Sequence, residues 1–178
     1  MWFLYLMVIV TANVVTASFA PMNLVGLLVP WGTVFIGVTF ILRDLCQEKY
    51  GRFKIYVLIS VAMILSSIVS FLLGDSLNVV LASCLSFALS ETTDTEIYSR
   101  LKLPFHLRVL YSGIVGGLLD SVVFVIVGLS PIGANFLTWS AVPNAIVGQI
   151  IVKSIMQIIG CLILKSIIKR KGSIGYEV

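Results

Sequence analysis

The chain has 178 residues, of which 59% are hydrophobic and only 11% are charged, and its mean hydropathy is +1.10. This composition excludes a soluble globular domain and predicts an integral membrane protein. The formal net charge of +4 does not indicate nucleic-acid binding, because the basic residues lie in short segments between apolar runs, where they act as topology signals.

Six apolar runs predict a single all-α domain of six transmembrane helices, since a helix needs about 20 mostly apolar residues to cross the bilayer. The predicted ranges are 2–20, 24–42, 55–73, 77–98, 109–129 and 142–168. The first run is longer than the apolar core of a signal peptide and has no basic residue before it, so we expect a mature helix. Pro30 predicts a kink in the second helix.

The distribution of basic residues predicts the orientation of these helices. Eleven of the twelve Lys and Arg residues lie between predicted helices two and three, between four and five, or at the end of six, and Lys153 is the twelfth. Because Lys and Arg accumulate in cytoplasmic connections, we expect a multi-pass protein of the inner cell membrane with both termini in the cytoplasm.

Two ionisable residues lie near the middle of predicted helices. At about 1.5 Å per residue, Asp120 and Lys153 reach the same depth from opposite ends of helices five and six, so an ion pair would let both exist in lipid. Gln149 and Gln157 lie four residues before and after Lys153 and extend it into one polar stripe. Such a stripe is typical of a cavity wall, although polar contacts between helices would also produce it.

Other polar residues leave two interpretations open. Glu91 and Asp94 share one helix face, so they either bind N–H and amino groups of a guanine-like solute or lie solvated at the end of helix four. Asn13 either contacts a ligand or bonds another helix. Small residues of helix five allow close packing or form a pocket: Ser112, Gly113, Gly116, Gly117 and Ser121.

The sequence does not favour catalysis or a metal or cofactor site. Cys46, Cys84 and Cys161 are far apart and fit no metal or redox spacing. The one histidine, His106, lies in a basic segment, and the chain has no phosphate-binding glycine loop. We therefore expect neither an enzyme nor a bound cofactor.

Four segments in chain order carry a resemblance to a known family. They are VPWGTVFIGVTFILRDLCQEKYGR at 29–52, ASCLSFALSETTDTEIYSRLK at 82–102, YSGIVGGLLDSVVFVIVG at 111–128, and the patch from Gly148 to Lys153. Together they resemble the VUT family, the queuosine precursor transporters. The resemblance implies uptake of 7-cyano-7-deazaguanine or a related 7-deazapurine for queuosine in tRNA. It also implies a six-helix fold similar to the substrate-binding subunits of energy-coupling-factor transporters.

By position, the resemblance assigns a cytoplasmic loop pattern to Arg43, Asp44 and Glu48. With the polar residues described above, it gives a candidate substrate-binding set: Asn13, Glu91, Asp94, Asp120, Gln149 and Lys153. The chain departs from the family at Trp31, where a small residue is commoner.

Three functions follow as hypotheses. The leading one is a solitary transporter whose partners are a 7-deazapurine and the lipid bilayer, with a homo-oligomer left open. The alternative is a binding subunit that passes its solute to an ATP-driven module. Such subunits carry an alanine-x-x-x-alanine contact on helix one, where this chain has Ala12, Thr16 and Ala20. The third is a membrane scaffold or pore former without a saturable ligand.

Overall fold

The computed structural model describes residues 1–24 and 26–174, which fold into six α-helices and one short hairpin. The predicted all-α class is therefore confirmed. The elements in chain order are α1 (Trp2–Ser18), β1 (Met22–Leu24), β2 (Leu27–Val29), α2 (Gly32–Tyr50), α3 (Arg52–Leu72), α4 (Leu77–Arg100), α5 (Phe105–Val123) and α6 (Val142–Ile174). The last turn of α5 continues as a π-helix over Phe124–Leu129.

The six helices form a closed ring. Neighbours around the ring pack in the order α1, α2, α6, α5, α4 and α3, and α3 returns to α1. The helix α2 also contacts α3, α4 and α5, so it crosses the interior of the bundle. Because α2 reaches every other helix in the ring, its side chains can meet polar groups from several directions.

The bundle is apolar outside and polar inside, as expected for a protein surrounded by lipid. On α3, Ile64 and Phe71 each have 60% of their surface exposed, whereas Ser66 and Ser70 are buried. Among the described residues, three helices are long and apolar enough to cross a bilayer: Arg52–Leu72, Phe105–Leu129 and Val142–Ser166.

The predicted range of helix two is wrong. Instead of a helix from residue 24, the chain forms an antiparallel hairpin in which Met22 pairs with Val29, and α2 begins only at Gly32. The turn has Gly26 at φ +86°, and the Gly26 N–H donates to Asn23 Oδ1 at 2.8 Å. Pro30 precedes α2 and produces no kink, because a proline is compatible with the residues just before a helix.

The end of helix two also differs from the prediction. Arg43 and Asp44 are fully buried within α2, which continues to Tyr50, so they do not belong to a cytoplasmic loop. Glu48 lies nearer the surface and accepts hydrogen bonds from Tyr98 at 2.6 Å and Arg108 at 3.1 Å. These charged residues do not interrupt α2, because side chains of the neighbouring helices are their hydrogen-bond and ion-pair partners.

The remaining helices occur near their predicted positions. Helix α5 begins four residues earlier than predicted, α3 begins three residues earlier, and α6 continues six residues further. The basic side chains of Lys169, Arg170 and Lys171, which contributed to the predicted orientation, lie outside the described residues.

Candidate functional site

The predicted ion pair between helices α5 and α6 is present. Lys153 Nζ lies 2.6 Å from Asp120 Oδ2, and it also donates to Ser121 Oγ at 2.9 Å and Gln149 Oε1 at 3.3 Å. An ammonium group has three N–H donors, so the protein already engages all of them. The Lys153 side chain is only 4% exposed, whereas Asp120 is 14% exposed.

The ion pair borders an internal cavity of about 570 Å³. Four of the six predicted substrate-binding residues line it: Asn13, Asp120, Gln149 and Lys153. Pro21, Pro30 and Phe136 also line it, so the cavity occupies the half of the bundle next to the hairpin and the connection between α5 and α6. Its volume is in the range of a pocket for a small organic molecule.

Gln149 has one hydrogen-bonding group that the described residues do not satisfy. Its Oε1 accepts from Lys153, but its Nε2 is buried and has no partner there. Since buried polar groups are nearly always paired, this amide nitrogen is suited to donate to an acceptor on a bound molecule. The ligand would carry the acceptor because an amide nitrogen only donates hydrogen bonds.

Asn13 fits both interpretations left open by the sequence. Its Nδ2 donates to Ser66 Oγ at 2.7 Å, which joins α1 to α3, and the residue also lines the cavity. On α3, Ser66 and Ser70 line the same cavity. They are cavity residues that the sequence analysis missed, and their i, i+4 spacing, which places both on one face of α3, was the available signal for a polar wall.

Three aromatic residues line the cavity: Phe87, Phe124 and Phe136. Trp31 and Trp139, in contrast, have about half of their surface exposed and lie outside the cavity lining. Outward-facing aromatic residues cannot be distinguished from pocket residues in a sequence that is apolar on both faces of its helices.

A comparison with known families decides the class of the protein. Residues 56–167, which make up more than half of the chain, match the vitamin uptake transporter family. The chain belongs to this family. Neither a search of curated proteins nor one of solved structures gives a match. The protein is thus a membrane transporter for vitamin uptake, and the matched range contains Asp120, Gln149 and Lys153.

The two acids of α4 that were predicted to bind substrate, Glu91 and Asp94, do not line the cavity of the transporter. Glu91 and Asp94 are buried and surround Arg43 of α2 instead. Arg43 also donates to Thr95 Oγ1 at 2.8 Å and to the Glu91 carbonyl at 3.1 Å. The prediction that these acids face the same solute as Asp120 is therefore not met in this cavity, and neither are they solvated at a helix end.

The small residues of α5 accommodate side chains rather than another backbone. Gly116 lies against Asp94 of α4, where an added Cβ would be 3.0 Å from the Asp94 Cβ. Gly117 lies against Lys153 of α6, where the corresponding distance is 3.5 Å. These two adjacent glycines therefore bring the Arg43 cluster and the ion pair of the cavity close together in the transporter.

Gln157, the third residue of the polar stripe, has a structural contact. Its Nε2 donates to the Val109 carbonyl at 2.6 Å, and its carboxamide lies over Gly113. It does not line the cavity. The stripe thus combines both predicted roles, since Gln149 and Lys153 border the cavity and Gln157 joins α6 to α5.

Proposed function

We propose that this transporter carries 7-cyano-7-deazaguanine or a related 7-deazapurine, a queuosine precursor, into the cytoplasm. In this proposal the chain spans the inner membrane six times with both termini inside, in a fold similar to energy-coupling-factor binding subunits. The cavity then opens toward the outside, since it lies beside connections that contain no Lys or Arg.

The observation that carries the proposal is the pair of free hydrogen-bonding groups on the cavity wall. The Gln149 amide offers a donor, and the partly exposed carboxylate of Asp120 offers an acceptor through Oδ1, because only Oδ2 binds Lys153. Both residues bond the same Lys153 Nζ, so these groups are neighbours. A ring with an adjacent N–H and C=O, as in a deazaguanine, complements this arrangement.

The charge and shape of the cavity agree with a neutral, flat solute. Asp120 and Lys153 neutralise each other, so a charged ligand would lose hydration without gaining a free counter-ion. Phe87, Phe124 and Phe136 supply apolar faces for an aromatic ring. The volume of about 570 Å³ accommodates a bicyclic base.

The alternative of a subunit for an ATP-driven module is less compatible with the packing of α1. That alternative needs small residues of α1 at a free surface. Ala12 is only 2% exposed, and its carbonyl lies against Gly32 of α2, so the first residue of the series is not at a free surface, whereas Thr16 and Ala20 are exposed. A solitary transporter has no such requirement.

Ligand binding by the purified protein tests the proposed substrate. A ligand that binds only the folded state stabilises it by about 2.7 kcal/mol at 100 times its Kd. We expect 7-cyano-7-deazaguanine to raise the melting temperature, and a 7-deazapurine with an adenine-like edge to have little effect. Stabilisation by an unrelated vitamin, with none by any deazapurine, would leave the family in place and reject this substrate.

A further inference from the structure

A second buried cluster, separate from the cavity, surrounds Arg43. Its Nη2 lies 2.9 Å from Asp44 Oδ1 and contacts Asp94, and its Nε lies 3.6 Å from Glu91 Oε2. Each of the four side chains is at most 1% exposed. Three carboxyl groups and one guanidinium therefore share one enclosed site.

The charges of this cluster do not balance. If all three acids were ionised, the cluster would carry a net charge of −2, and side chains that are at most 1% exposed gain little stabilisation from solvent. An unpaired carboxylate in an apolar interior is unstable, and such a group either binds a cation or becomes neutral by protonation. The site therefore requires at least one additional positive charge.

A proton supplies this charge better than a metal ion. The Arg43 guanidinium already occupies the position between the three acids. A metal ion bound to the same acids would lie close to this guanidinium and be repelled by its positive charge. Hard cations such as Ca²⁺ also take six or more oxygen ligands, and the described residues contain no group of acids, cysteines or histidines that could hold a metal ion.

Of the three acids, Glu91 has the most distant carboxylate contact with the Arg43 guanidinium. Its separation of 3.6 Å from Nε exceeds a hydrogen bond, and neither of its carboxylate oxygens has a hydrogen-bond partner among the described residues. The hydroxyl of Tyr5 on α1 is fully buried beside Glu91, and no other group of the described residues pairs with it. A hydroxyl and a carboxyl in this position can share a proton that neither donates elsewhere.

Charged and titratable groups from several packed helices surround Glu91. On α3, Arg52 and Tyr56 contact α4, and both donate to Glu96 instead. The charged and titratable groups around Glu91 and the Tyr5 hydroxyl are Tyr5 on α1, Arg43, Asp44 and Cys46 on α2, Asp94 on α4, and Asp120 on α5.

Glu91 lies just below the cavity. Phe87, four residues earlier on α4, lines the cavity, so Glu91 is about 6 Å further along the helix, at 1.5 Å per residue. The ring of Phe40 packs over Gly116 and Gly117 between the Asp94 and Lys153 side chains. A change in the charge of Glu91 is therefore separated from the cavity by one layer of side chains.

We propose that Glu91 is a proton-binding site that couples solute uptake to proton movement. In one cycle the Glu91 carboxylate gains a proton from the cavity side and releases it to the cytoplasmic side, with no other bond formed or broken. This inference goes beyond the proposed substrate, since it assigns the driving ion and a residue outside the cavity.

Infrared difference spectroscopy of the purified protein tests the site without any solute. When the pH is lowered from alkaline to neutral values, we expect the wild type to gain a carboxylic-acid band that Glu91→Gln lacks and that Glu96→Gln, the control on the same helix, retains. Glu91→Asp should shift this band, which provides a reading if Glu91→Gln fails to fold. An unchanged band in Glu91→Gln, or no band in the wild type, would overturn the proposal.

Uptake of 7-cyano-7-deazaguanine by proteoliposomes tests the coupling. An external acid pH gradient should stimulate the wild type and Glu96→Gln, whereas Glu91→Gln should retain exchange without a gradient and lose the stimulation. Stimulation by a sodium gradient alone would overturn proton coupling. An infrared band at Glu91 without any uptake would reject both the proposed substrate and coupling to its uptake, but not the proton-binding site itself.

Discussion

Lys153 on α6 and Asp120 on α5 form an ion pair of 2.6 Å in which Lys153 is almost fully buried and Asp120 faces the cavity. The asymmetry in exposure matters for function. A solute that binds Asp120 reaches the pair from its more exposed member. Because Lys153 is buried, its ammonium group depends on the Asp120 carboxylate as counter-charge, so a solute that draws the carboxylate away also affects Lys153.

A double-mutant cycle should show that the pair is coupled. Asp120→Asn leaves the buried ammonium without a counter-charge, so we expect a loss of about 3 kcal/mol in the free energy of unfolding. Lys153→Met leaves the Asp120 carboxylate unpaired. Because Asp120 is more exposed than Lys153, this variant should lose less free energy of unfolding. The double variant should lose less than the two single variants together, as measured by thermal unfolding in one detergent.

Uptake measurements on the same variants separate stability from transport. Both single variants should lose uptake at temperatures where they remain folded. Unchanged uptake in both would remove the pair from the transport mechanism, even if the stability cycle shows coupling.

The free amide of Gln149 predicts a specific loss of affinity. Gln149→Leu removes the donor to the ligand carbonyl, and we expect binding to weaken by roughly 1.4 kcal/mol, or about tenfold. The free protein should also lose roughly 1–3 kcal/mol in the free energy of unfolding, because the substitution removes Oε1, which accepts from the buried Lys153 ammonium; binding is therefore compared at a temperature where the variant remains folded. The control is Asn144→Ala, because Asn144 on the same helix is exposed and outside the cavity; equal binding by both variants would argue against the proposed contact.

The sequence predicted the contact between Asp120 and Lys153 because both residues interrupt otherwise uncharged helices. Depth and charge were sufficient there, since each residue had one candidate partner of opposite sign. The same reasoning failed for Arg43, which interrupts an apolar run in the same way but was assigned to a loop. Its partners Glu91 and Asp94 are about 50 residues away, and the sequence does not indicate that α2 crosses the bundle toward α4.

The hairpin was missed for a different reason. Residues 24–29 are apolar, and a short apolar run is compatible with a strand or a buried helix. The decisive features are the positive φ of Gly26 and the hydrogen bond that Asn23 Oδ1 accepts from the Gly26 N–H, which depend on local geometry. The helix count remained correct because the predicted helix was displaced along the chain and not lost.

Two of the three glycines of α5, Gly113 and Gly117, should respond differently to alanine. At Gly113, a Cβ would overlap the buried Gln157 carboxamide and break its bond to Val109, so we expect Gly113→Ala to destabilise by about 1–3 kcal/mol. At Gly117 the nearest atom is 3.5 Å away, and Gly117→Ala should be neutral or stabilising. Thermal unfolding measures both.

A second-site variant identifies the cause of the Gly113 effect. Adding Gln157→Ala to Gly113→Ala removes the overlapping atoms, so the combined variant should lose less than the sum of the two single variants. Strict additivity would mean that the carboxamide is not the obstacle.

Cysteine labelling should determine the orientation of α5 in the membrane. Cys46 and Cys161 are buried, so a Cys84→Ala background leaves little native reactivity. In that background we introduce Ile132→Cys in the connection from α5 to α6 and Leu103→Cys in the connection from α4 to α5, both at exposed positions.

A membrane-impermeant maleimide should label the residue at 132 in intact cells and the residue at 103 only after permeabilisation, because the basic residues surround position 103. The reverse pattern would invert the proposed topology and place the cavity on the cytoplasmic side, and labelling of both from outside would mean that α5 does not span the bilayer.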